Sequence, residues 1–130
     1  IPVMGHLGLL PQSTKGKFRS KGKTAKEIKQ LISDALLLQK NGVFAIVLEC
    51  IKTPIAKQIT KNLDIPTIGI GSSVHCDGQV LVTDDLIGLN QTNIKFVKKF
   101  LNVKKYINKG LRKFASEVKS NQYPSKKYSY

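Results

Sequence analysis

Short apolar runs alternating with amphipathic stretches are the feature that most constrains how this chain can fold. Residues 43–48 (VFAIVL) are apolar without the in-out alternation of a half-buried strand, which marks a strand covered on both faces. Residues 66–70 (PTIGI) and 79–82 (QVLV) form two more short runs, and the opening IPVM predicts another strand. Between them, residues 24–41 place Ile28, Leu31, Ile32, Ala35, Leu36 and Leu38 at helical spacing. Thr24 with Glu27 three residues on is a capping-box pattern, and Gly42 stands where a helix C-cap glycine belongs. Thr53-Pro54 predicts a second helix start, with the threonine as cap and Ile55, Ala56, Ile59 and Leu63 as its stripe. Residues 94–101 and 103–118 predict two amphipathic helices facing lysines outward, followed by a polar, turn-rich tail at 121–130. Strand and helix in alternation is the order of a parallel α/β sheet, closed as a barrel or open and doubly wound.

Length then narrows the choice. A complete barrel of eight units takes about 250 residues, and this chain has 130. Half a barrel standing free would leave unpaired sheet edges, an aggregation hazard. The expectation is therefore that residues 1–130 are part of one larger domain, its C-terminal portion. The start at Ile1 with a strand already under way points the same way.

The formal net charge of +14 raises nucleic-acid binding. The basic residues concentrate in residues 15–29 and in the C-terminal third, yet only Arg19 and Arg112 are arginine. Phosphate and guanine recognition favours arginine's planar fork, and lysine, isoleucine and asparagine are what A- and T-rich codons supply. Compositional drift is favoured over a nucleic-acid partner, and the aromatic residues mostly occupy apolar positions rather than interleaving with basic ones. No apolar run reaches the roughly 20 residues of a membrane helix, and no signal-peptide pattern is present. Cys50 and Cys76 make neither a metal spacing nor a disulfide framework, so a reducing, cytoplasmic setting is expected.

In parallel α/β folds, ligands gather at the carboxyl ends of strands. Four features are expected there: Gly5-His6, Glu49, residues 69–73 (GIGSS) and residues 83–85 (TDD). Glu49 is the sharpest. A carboxylate ending a buried strand is poorly hydrated and can act as a base, or it can simply be a solvated strand terminus or a capping partner for the Thr53 turn. His6 is a substrate contact or a structural histidine. The glycine loop lacks the full dinucleotide fingerprint and reads as a tight turn. Asp84 and Asp85 could bind metal, although adjacent carboxylates more often cap a helix. His75-Cys76-Asp77 has ligand types without a partner cluster, with Asp77-Gly78 as a turn.

These segments carry a resemblance. IPVMGHLGLLPQS, LLLQKNGVFAIVLEC, IPTIGIGSSVHCDGQVLVTDDLIGL and FASEVKSNQYPSKKYSY, in that order, resemble the ketopantoate hydroxymethyltransferase family over nearly the whole chain. The resemblance implies a (β/α)8 barrel of the phosphoenolpyruvate/pyruvate type, of which this chain would supply strands 5–8. It also implies an assembly, usually a decamer. The implied reaction moves a hydroxymethyl group from 5,10-methylenetetrahydrofolate to 3-methyl-2-oxobutanoate, giving 2-dehydropantoate for pantothenate and coenzyme A. Glu49 matches the family's proton acceptor and His6 a histidine beside the substrate. The implied Mg2+ would take its ligands from the first four strands, outside this chain, so no metal ligand is assigned here. Two departures stand out: the lysine-crowded TKGKFRSKGK after PQS, on the folate side, and Ser72-Ser73 where a small Ala-Gly pair is usual. The rivals are an inactive remnant of that enzyme, another lyase or mutase of the same superfamily, and a basic nucleic-acid-binding module.

Overall fold

The computed structural model describes residues 1–10, 19–91 and 93–130. Its contacts divide the chain into two compact units, residues 1–81 and 82–130.

The first unit is built on a parallel sheet. Strands β1 (Met4–Gly8), β2 (Ala45–Glu49), β3 (Thr67–Ile70) and β4 (Gly78–Gln79) pair in the order β1-β2-β3-β4, every pairing parallel. Helix α1 (Ala25–Lys40) connects β1 to β2, and α2 (Thr53–Asn62) connects β2 to β3. The start of α1 follows the capping pattern. The Glu27 amide donates to Thr24 Oγ1 at 3.2 Å, and the Glu27 carboxylate accepts from the Lys23 amide at 2.9 Å. Gly42, at φ +81°, takes the left-handed turn just past the helix end, and its amide donates to the Gln39 carbonyl.

Register decides which side chains share a face. Gly5, Ile46 and Thr67 align, as do Leu7, Leu48 and Gly69, so these point to one side of the sheet. That side is closed by the helices: Ile46, Leu48 and Thr67 have no exposed surface, and Ala35, Ala56 and Ile59 from α1 and α2 complete the core with Val43, Ile51 and Cys76. A Cβ on Gly5 would sit 3.0 Å from Leu38, which shows how closely α1 approaches β1. The opposite side carries Met4, His6, Val47, Glu49, Ile68 and Ile70. It is open: Met4 is 46% exposed, and Val47, Ile68 and Ile70 are only partly buried.

Several expectations are corrected. The QVLV strand shrinks to the Gly78–Gln79 pairing, with Val80 and Val82 about half exposed. Only the Val80 amide extends it, donating to the Gly69 carbonyl at 3.0 Å. Thr53 does not cap α2. Lys52 occupies the cap position without a side-chain bond, and Thr53 Oγ1 donates instead to the Ser72 carbonyl at 3.2 Å. Gly5 and His6 lie inside β1 rather than beyond its end.

In the second unit, α3 (Thr83–Leu86) is a single turn and α4 (Val103–Lys119) is the long helix, followed by a 3-10 turn at Lys126–Tyr128. The expected helix at 94–101 is absent from the described residues. The segment makes one turn of its own, the Val97 amide donating to the Ile94 carbonyl at 3.0 Å, and beyond it the amides of Phe100 and Val103 donate to the carbonyls of Leu86 and Ile87 at the end of α3. Asn102 caps α4, accepting from the Lys105 amide at 3.2 Å. The stripe of α4 has no buried residue, though Phe114 meets Tyr123 edge-on at 5.4 Å. No helix among the described residues is long and apolar enough to cross a membrane.

Candidate functional site

The carboxyl ends of β1 and β2 are drawn unusually close. Gly8 pairs with Glu49, and the Leu9 amide donates to the Glu49 carbonyl at 2.9 Å. A Cβ on Gly8 would lie 2.1 Å from that carbonyl oxygen and 2.8 Å from Ile51, and Gly8 holds φ +100°. Only glycine fits there. Immediately after Glu49 the chain turns through Cys50 at φ 53°, a left-handed conformation that costs a residue with a Cβ about 1–2 kcal/mol. Two backbone bonds hold it: the Cys50 amide donates to the Ile70 carbonyl at 3.0 Å, and its carbonyl accepts from the Lys21 amide at 2.8 Å. Lys21 also accepts from the Lys52 amide at 3.0 Å, forming an isolated parallel bridge beside Ile51. Neighbouring segments on both sides thus fix the main chain that carries Glu49.

On the open side of the sheet the two foremost candidates meet. His6 Nε2 lies 3.1 Å from Glu49 Oε2; the imidazole side chain is 37% exposed and the glutamate 12%. They stand 43 positions apart in sequence and come together because β1 and β2 are parallel and in this register. Glu49 is therefore neither a solvated terminus nor a helix cap. It is a shielded carboxylate with one polar partner among the described residues.

The GIGSS loop also lies at these strand ends, and its polar groups are taken up internally. Ser72 Oγ donates to the Ile51 carbonyl at 3.1 Å, Ser73 Oγ accepts from the His75 amide at 3.2 Å, and Gln79 Nε2 donates to the Ser73 carbonyl at 2.7 Å. This is the tight turn, tied to the end of β2. At the opposite end of β3, Asp77 accepts from the Thr67 amide at 2.8 Å and the Thr67 hydroxyl at 3.0 Å. Those two bonds hold its carboxyl below the ordinary aspartate range. Burial, and then the Glu49 charge beside it, push the Cys50 thiol up.

Asp84 and Asp85 do not follow a strand; they form the first turn of α3 in the second unit, where buried Asp85 accepts from Asn90 Nδ2 at 3.0 Å. Among the described residues no three His, Cys, Asp or Glu side chains gather as a group that could hold a metal. The PQS motif and the first half of the TKGKFRSKGK stretch after it, residues 11–18, fall outside the described residues. Sequence reasoning missed Gly8, Lys21 and the Thr67–Asp77 link; the glycine closing GHLG was the one local signal for the close strand approach.

The family model for ketopantoate hydroxymethyltransferase matches residues 1–126. The chain belongs to the ketopantoate hydroxymethyltransferase family. It is 56% identical over its whole length to the 3-methyl-2-oxobutanoate hydroxymethyltransferase of Pelagibacter ubique, covering 50% of that protein. It is 46% identical to the enzyme of that name from Carboxydothermus hydrogenoformans, covering 48%, and 45% identical to that of Francisella tularensis, covering 50%. The chain thus spans about half the length of these ketopantoate hydroxymethyltransferases.

Proposed function

We propose that this chain supplies the base-carrying half of an enzyme that transfers a hydroxymethyl group to 3-methyl-2-oxobutanoate, with 5,10-methylenetetrahydrofolate as donor and 2-dehydropantoate as product. In this account it forms the C-terminal half of a (β/α)8 barrel, strands 5–8, whose open sheet side faces the barrel axis. The finished enzyme is a homo-oligomer, a decamer on the family pattern, and works in the cytoplasm on the route to pantothenate and coenzyme A.

The contact between His6 and Glu49 on the open side of the sheet carries this proposal. The reaction must first break the C3–H bond beside a ketone. Glu49 accepts that proton, the bond's electron pair passes into an enolate, and C3 then forms the new bond to the donor's one-carbon unit. Water supplies the hydroxyl, and the donor's carbon–nitrogen bonds break to leave tetrahydrofolate. A shielded carboxylate on a fixed strand end suits the first step, because proton abstraction needs a base held within hydrogen-bond reach of its target. A Mg2+ ion, when bound by residues outside this chain, would polarise the keto and carboxylate oxygens. His6 stands beside the base, where a substrate would also lie.

The test is exchange of the ketoacid's C3 proton for deuterium in the intact enzyme. Glu49→Gln is expected to slow it at least about 100-fold, the low end for a lost general base. Unchanged exchange would remove Glu49 from the role.

A further inference from the structure

We propose that His6 is a positioning residue for Glu49, acting through the carboxylate rather than as a ligand of the substrate. This rests on Glu49 being the base, as proposed above. His6 sits opposite Val47 in the β1–β2 register and Glu49 comes two residues later on the same side, so the imidazole reaches diagonally across the strand pair. Its Nε2 is committed to Glu49 Oε2 at 3.1 Å. A hydrogen on Nε2 makes His6 the donor and the carboxylate the acceptor. With one oxygen held, the second, Oε1, has a defined direction in which to take a proton.

The surroundings leave this task to His6. The glutamate side chain is 12% exposed, so little water competes for it, and among the described residues no other side chain donates to it. The main chain is fixed at Glu49 by the Leu9 amide and at Cys50 by the Lys21 amide and the Ile70 carbonyl, but those bonds do not set the Glu49 side-chain torsions. Gly8 contributes indirectly, since its missing Cβ permits the strand approach that puts His6 within reach.

Three variants of the intact enzyme separate positioning from substrate contact. His6→Ala is expected to lower kcat for C3 deuterium exchange by about 10–100-fold, the scale of a small misplacement of a reacting group. KM for the ketoacid should stay within about twofold, because a group acting only on the base leaves ground-state binding alone. His6→Gln keeps an amide donor of similar reach and should restore most of the rate. In His6→Ala/Glu49→Gln, exchange should be no slower than in Glu49→Gln alone, the non-additivity expected of residues acting as a unit. A raised KM with unchanged kcat, multiplying effects in the double variant, or a silent His6→Ala would each overturn the proposal.

If Glu49→Gln itself leaves exchange untouched, the base assignment falls, and the carboxyl-carbon NMR resonance of Glu49 then judges His6 alone. A resonance that shifts in His6→Ala and returns in His6→Gln supports the positioning bond. An unmoved resonance overturns it.

Discussion

The two sides of one sheet have opposite duties. On the helix-covered side, Ile46, Leu48 and Thr67 are sealed among α1, α2 and the loop before β4, and they hold the first unit together. The other side presents Met4 and His6, which are exposed, and Val47, Glu49, Ile68 and Ile70, which are partly buried, and this side carries the candidate chemistry. Alternation along each strand makes the division: Leu48 and Glu49 are neighbours in sequence and face opposite ways. A strand buried on both sides, as VFAIVL suggested, would hide its polar terminus, whereas a strand with one open side can offer a carboxylate without dismantling the core.

The largest effect should come from the closed side. Leu48→Ala is expected to cost about 2–5 kcal/mol in urea unfolding, the range for a fully buried leucine. Ile68→Ala on the open side should cost about 1 kcal/mol, since less of its surface leaves water on folding. Equal losses would break the comparison and show the open side to be covered. Thr67→Val, which removes the hydroxyl bonded to Asp77, should cost about as much as Ile68→Ala, about 1 kcal/mol.

Asp77 adds a pH signature. Its carboxyl is held below its ordinary value of 3.8, so its contribution to stability is present above that value and is lost as pH falls through the lower folded one. Asp77→Asn should flatten this acid-side fall in a pH series of unfolding curves. The change should be small, because the group is exposed and solvent screens it. The smallest effect concerns Cys50. A thiol pushed up by burial and by Glu49 yields less thiolate, so alkylation near pH 8 should be slower than for an exposed cysteine and slightly faster in Glu49→Gln.

Much of the covered side was legible in the sequence. Helical spacing from Ile28 to Leu38, the Thr24 cap and Gly42 located α1, and PTIGI located β3, because these signals act within a turn or two of chain. What failed needed partners far along the chain. QVLV has the composition of a strand, yet β3 pairs with Gly78 and Gln79 and, past them, with the Val80 amide alone. Residues 94–101 have helical spacing, yet the amides of Phe100 and Leu101 pair with Leu86 at the end of α3. Glu49 stood out as a polar residue closing an apolar run, and His6 as a residue expected at a strand end, which the resemblance then placed beside the substrate. Their contact could not be read from spacing, since it depends on strand register, and neither could the left-handed turn at Cys50 that follows Glu49.

A crystal structure of the intact enzyme with 3-methyl-2-oxobutanoate bound would test the central claim most directly. The account predicts Glu49 Oε1 about 3–3.5 Å from C3 of the ketoacid, with Oε2 still bonded to His6 Nε2. A ketoacid bound elsewhere, or a Glu49 carboxylate turned away from C3 while the substrate occupies the open side of the sheet, would contradict it.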